Sequence, residues 1–129
     1  MSILAKINDN TTPTSFIING HVEQQKEFMG TYQLIKEKFN DEYIYKKTDK
    51  DYYFYHSNNN TWLFCYSKND INVGLGGIRV SLKKNLDVDK EDLNNEYILN
   101  FDCYTYNNEW ILDNKINFQI VEDSPIIPE

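Results

Sequence analysis

One arginine, two cysteines, two histidines, three prolines and five glycines in 129 residues leave this chain short of the side chains that most chemistries need. Arg79 is the only guanidinium, the lysines are interleaved with acids, and the net charge is −7. A nucleic-acid binder must neutralise phosphates with basic side chains, so nucleic acid is set aside as a partner. No run of 18 apolar residues exists, so no membrane span is expected. Met1 to Ile7 has no basic start and too short an apolar run for a signal peptide. Cys65 and Cys103 therefore read as reduced thiols in an intracellular setting. His21 and His56 have no His or Cys at metal spacing, and no metal or other cofactor is expected. The sequons at Asn10 and Asn59 are chance matches in a chain with 17 asparagines.

What the chain has in abundance is aromatic residues, ten Tyr and seven Phe among them. They are concentrated in a hairpin pattern that occurs twice. The first copy runs Tyr52-Tyr53-Phe54-Tyr55, then an Asn-rich turn, then Trp62-Leu63-Phe64-Cys65-Tyr66. The second runs Phe101 to Tyr106, then Asn107-Asn108-Glu109, then Trp110-Ile111-Leu112. Aromatic and β-branched residues fit a half-buried pleated surface, and Asn tolerates the positive φ of tight turns. Phe16-Ile17-Ile18 closed by Asn19-Gly20, Tyr43-Ile44-Tyr45, Ile78 to Leu82, Tyr97 to Leu99 and Ile116 to Val121 read as further strands. Ser67 to Asp70 reads as a loop, and Ile71 to Gly77 as a glycine-punctuated bend. Short strands every 8–12 residues predict an all-β fold, a single antiparallel meander, sandwich or barrel of about eight strands, with at most a helical turn near 20–27 or 87–95. A domain over 16–121 would carry an N-terminal arm, 1–15, and a tail, 122–129, whose Pro125 and Pro128 cannot continue a ladder.

Residues 28–39 carry two periods at once. Phe28, Tyr32, Ile35 and Phe39 make a helical stripe, whereas Phe28, Gly30, Tyr32 and Leu34 alternate as a strand face. A resemblance bears on the choice. Phe28-x-Gly30-x-Tyr32, Tyr43-Ile44-Tyr45, Tyr52 to Tyr55, Trp62, Gly76-Gly77 and Tyr106-Asn107-Asn108-x-Trp110 follow one another in an order that resembles an uncharacterised small β-module of algal, protist and marine-invertebrate proteins. Glu42 and Leu63-Phe64 depart from its pattern. The resemblance spans about residues 28–120, implies strand for 28–37 and implies no catalytic residues. Phe28 to Leu34 is also similar to the opening strand of intracellular lipid-binding barrels. That motif belongs near an N-terminus, no Arg-x-Tyr end motif follows, and this reading is set aside.

Candidate chemistry dissolves on inspection. Val73 to Ile78 has the glycines of a phosphate loop but continues as a strand rather than a helix. Asp87 to Asp92 starts like a calcium loop, then has Asp92 where glycine is required and Ile98 where glutamate is required. Cys65 and a histidine would need a third orienting group to act as a nucleophile. Glu42 and Asp51 are the carboxylates a hydrolase or lyase reading would use. The expectation is a non-enzyme. Trp62 and Trp110 read as pseudo-equivalent core anchors, and Tyr53, Tyr55, Tyr104 and Tyr106 as an outward interaction surface. The excess of Asn, Ile and Lys is a codon signature of AT-rich genomes, such as those of protists, some bacteria and large DNA viruses of protists. Together these point to a protein-interaction or structural module, intracellular or part of a virion, associating with a protein partner or with itself. The alternative is a module that binds glycan or peptide through the tyrosines.

Overall fold

Turn chemistry sets the frame. Asn40 and Asp41 both have positive φ, 58° and 68°, and join two strands by a two-residue turn of the kind that matches strand twist. In the computed structural model, which describes residues 14–20, 25–58, 61–84, 97–105 and 107–121, the strands are β1 (Ser15–Asn19), β2 (Gly30–Phe39), β3 (Glu42–Lys47), β4 (Tyr53–Asn58), β5 (Thr61–Cys65), β6 (Ile78–Lys84), β7 (Tyr97–Tyr104), β8 (Trp110–Leu112) and β9 (Asn117–Ile120). The fold is all-β, as the spacing of aromatic runs predicts, and 30–39 is strand rather than helix. A single turn of 3-10 helix, Lys26–Phe28, falls at the end of the expected helical turn near 20–27. The other expected turn, 87–95, and most of both arms lie outside the described residues.

All nine strands form one antiparallel sheet in the order β8-β7-β6-β5-β4-β3-β2-β1-β9. The last two strands lie at opposite edges of the sheet, yet only residues 113–116 separate them. So short a connection spans at most about 17 Å, so the sheet must curl until its edges approach. The packing bears this out. Phe118 on β9 lies 6.3 Å from Phe101 on β7 and 6.3 Å from Phe54 on β4, centroid to centroid. Nine strands form where about eight are expected, and the two final runs, separate in the sequence, pair at opposite edges, 110–112 with β7 and 117–120 with β1.

Period-two alternation then sorts side chains between two faces. The concave face gathers Phe16, Ile18, Tyr32, Tyr45, Phe54, Trp62, Phe64, Ile78, Val80, Phe101 and Cys103. Phe16 is its hub, in contact with the rings of Tyr32, Tyr45, Phe54, Phe64 and Phe118. One end of the curl is plugged by Phe28, fully buried against Tyr52, Phe64 and Tyr66. Gln25 fastens the plug, donating through Nε2 to the Tyr104 carbonyl at 2.8 Å and accepting from the Tyr66 hydroxyl at 2.7 Å.

The convex face carries a second cluster of Ile44, Tyr53, Tyr55, Leu63, Cys65 and Ile71. Here the structure corrects the expectation of a loop after Ser67. Lys68–Val73 is a short helix, α1, that lays Ile71 on this cluster and ends at Gly74 with φ 73°, a left-handed cap that glycine adopts without strain. The glycines that follow serve close packing, not a phosphate. A Cβ at Gly76 would lie 2.7 Å from the Phe64 carbonyl oxygen, and one at Gly77 would lie 2.5 Å from Gln25 Oε1.

Candidate functional site

The tyrosines expected to face outward divide. Tyr53 is 8% exposed and Tyr55 is fully buried, which overturns their place on an interaction surface. Both do point to the convex face, as alternation requires, but α1 and the segment after it cover them. The Tyr55 hydroxyl donates to the Leu75 carbonyl at 2.9 Å, and burial holds its phenol protonated well above the usual range. Tyr104 is half-buried and donates to Asn108 Oδ1 at 3.2 Å. Tyr106 lies outside the described residues.

What the structure brings together instead is a row across the convex face. Strand register sets Leu63 opposite Arg79, Arg79 opposite Asp102, and Asp102 opposite Leu112. Directly opposed residues share a face, with Cβ atoms about 5 Å apart. Arg79 donates from Nε and Nη2 to the same Asp102 oxygen, Oδ2, at 3.2 Å and 3.0 Å. Its guanidinium lies 4.4 Å from the centroid of the Trp110 ring. Tyr104, opposite Trp110 in register, sets its own ring 5.1 Å away on the other side of the hairpin. The charged pair is neither sunk nor free, with Arg79 35% and Asp102 20% exposed. At one end of the row Leu63 is covered. At the other Leu112 is 57% exposed, and Leu75, at the entrance to β6, is also 57% exposed. Trp110 is half-buried on this convex face, so the expectation that it matches Trp62 as a core anchor is wrong.

The residues weighed for catalysis stay apart. Glu42 opens β3 and Asp51 lies beyond its far end, where it approaches Lys46 at 3.5 Å. That separation is roughly 15–20 Å at strand rise. His56 lies against Trp62 on the concave side, 5.3 Å between ring centroids and tilted, while Cys65 lies on the convex side and donates to the Ser67 carbonyl. The sheet therefore stands between thiol and imidazole. Both cysteines are buried thiols in no disulfide. Desolvation, with Asp70 adding to it at Cys65 and Asp113 at Cys103, pushes each thiol up to about 12, the opposite of an activated nucleophile. Among the described residues no three His, Cys, Asp or Glu side chains are grouped to hold a metal ion. His21 and the acidic stretch after Asp87 lie outside those residues. On the concave side, the Trp62 indole N–H is buried without a hydrogen-bond partner among the described residues, beside the rings of Tyr45, Phe54 and His56.

No protein-family model matches the chain, and no curated protein or solved structure matches it. Among the described residues no helix is long and apolar enough to cross a membrane. The Arg79–Asp102–Trp110 constellation was not legible as a site in the sequence. Its one signal was the singularity of Arg79, since a chain with a single guanidinium has a single place for bidentate or stacked recognition.

Proposed function

We propose that this chain is a non-catalytic protein-interaction module whose docking surface is the convex face of β6, β7 and β8. One observation carries the reading: the only arginine lies over a half-buried tryptophan, is fixed there by Asp102, and has exposed Leu112 beside the pair in register. Trp, Tyr and Arg are the residues that dominate binding energy at protein interfaces, and a held guanidinium loses little entropy on docking. The buried, weakly acidic thiols suit a reducing compartment, which supports an intracellular place of action. The resemblance to the small β-module is compatible with a binding role and supplies no catalytic residue. A structural role within a larger assembly, such as a virion, is the form of association that the strand-rich, acidic chain would serve. The glycan or peptide alternative loses its basis in a tyrosine face, because Tyr53 and Tyr55 are covered.

The test is site-specific photocrosslinking in the cells that make the protein. A benzophenone side chain at position 112 should give a discrete protein adduct, and the same group at the exposed position 37 on β2 should not. Absence of any adduct at 112, or equal labelling at both positions, rejects the proposal.

A further inference from the structure

We infer that the partner docked on this face is a second copy of the chain, related by a two-fold axis that sets Arg79 of each copy against Asp102 of the other. The inference rests on the reading of the convex face as a docking surface. Two copies that each carry a charge of −7 repel one another, and a locally balanced patch lowers the cost of their approach. The Arg79–Asp102 patch has one cation and one anion side by side on neighbouring strands. A two-fold contact places a patch on itself, so a patch with both signs is its own complement.

The hydrogen-bonding capacity fits as well. A guanidinium has five N–H donors, of which Asp102 engages two, and both reach only one of the two carboxylate oxygens. Among the described residues, donors and an acceptor are thus left for exchange across the axis without loss of the pair within each chain. Leu112, 57% exposed and opposite Asp102 in register, supplies apolar surface beside the charges. A stable interface of standard size covers about 800 Å² on each partner. That is about a tenth of the 8007 Å² surface of one copy.

The experiment is light scattering across a concentration series with charge variants. The wild-type chain should reach twice its 15.3 kDa mass. Arg79→Glu leaves an all-acidic patch and Asp102→Arg an all-basic one, so each alone should weaken association by about 100-fold or more. An equimolar mixture of the two should regain the dimer mass, because the patches then meet as opposites. The double variant Arg79→Asp/Asp102→Arg, which keeps a pair in every chain, should dimerise like the wild type and controls for folding. A wild-type chain that is monomeric at every concentration overturns the inference, as does a mixture no heavier than its components. A monomer that still gives a crosslinked adduct to a different protein at position 112 removes the second copy and leaves the docking surface standing. A monomer with no adduct removes both.

Discussion

Raising the pH above about 9 should unfold this protein steeply, and the slope can be worked from its buried acids. Cys65 and Cys103 lie in the two apolar clusters, and burial pushes each thiol from an ordinary 9.0 up to about 12. Burial likewise raises the phenols of Tyr32, Tyr45 and Tyr55 far above their ordinary 10.0. The Tyr32 and Tyr55 hydroxyls are also donors to the Phe28 and Leu75 carbonyls, bonds that the ionised forms cannot make. These groups keep their protons in the folded chain and lose them in the unfolded one. Their contribution to stability is therefore complete below the unfolded pKa and is lost as pH rises toward the folded one. One such group costs about 1.4 kcal/mol per pH unit once the unfolded form ionises. The two thiols should set a slope that climbs from about 1.4 kcal/mol per unit at pH 9 toward about 2.7 above pH 10, and the three phenols raise the total to at most roughly 7 kcal/mol per unit above pH 11. A domain of this size has a total stability on the order of 6–19 kcal/mol, so the transition should fall between about pH 10 and 12. Urea unfolding at stepped pH measures the slope, while absorbance at the tyrosinate band reports ionisation. The expected result is that tyrosinate from the buried rings rises only as circular dichroism is lost, and that a Cys65→Ala/Cys103→Ala variant loses only about a third as much stability as the wild type between about pH 9 and 10. Stability that stays level to pH 11, or tyrosinate that forms in full while the fold persists, would refute the reasoning.

Two substitutions probe the concave core. Phe16→Ala removes the ring that touches five others and should cost about 3–5 kcal/mol, a drop of roughly 15 °C in melting temperature for a chain of this length, whereas Phe118→Ala at the half-exposed edge should cost less than half as much. A loss below about 1 kcal/mol for Phe16→Ala in urea titration would mean that β1 and β9 do not close on the core as described. Trp62→Phe gives up part of a large ring but also removes a buried, unpartnered N–H worth about 1–3 kcal/mol, so calorimetry should find it within about 1 kcal/mol of the wild type. A loss above about 3 kcal/mol would show that the indole N–H has a partner in solution.

The strands were legible because their turn and face signals agree. Asn40-Asp41 and Asn19-Gly20 mark turns by the positive φ they tolerate, and Asn40, Asp41 and Gly20 all adopt it. The strand reading of 30–39 survived a competing helical stripe because Tyr32 and Leu34 face the core together while Gln33 faces out, which only a period of two provides. The helix after Ser67 left no such trace. It has six residues, buries only Ile71, and lacks a side-chain cap. Nothing so short can show a 3.6-residue period, and it is tertiary packing on Tyr53 and Tyr55 that forms it. Missing that helix is what turned two covered tyrosines into an expected surface.

The two tryptophans show why a repeated motif need not repeat a role. In the first hairpin Phe54 and His56 face the concave side, and register sets Trp62 opposite His56, so Trp62 enters the core. In the second, Phe101 and Cys103 face the concave side, so Tyr104 faces the convex one, and register sets Trp110 opposite Tyr104. The difference is one of parity. Because side chains alternate strictly, a single residue of offset between core pattern and turn moves a tryptophan from one face of the sheet to the other. The first hairpin keeps its tryptophan as packing. The second delivers the same residue to the outside, within reach of the chain's only arginine, and thereby builds the one place on the described surface where a large ring, a guanidinium and a carboxylate meet.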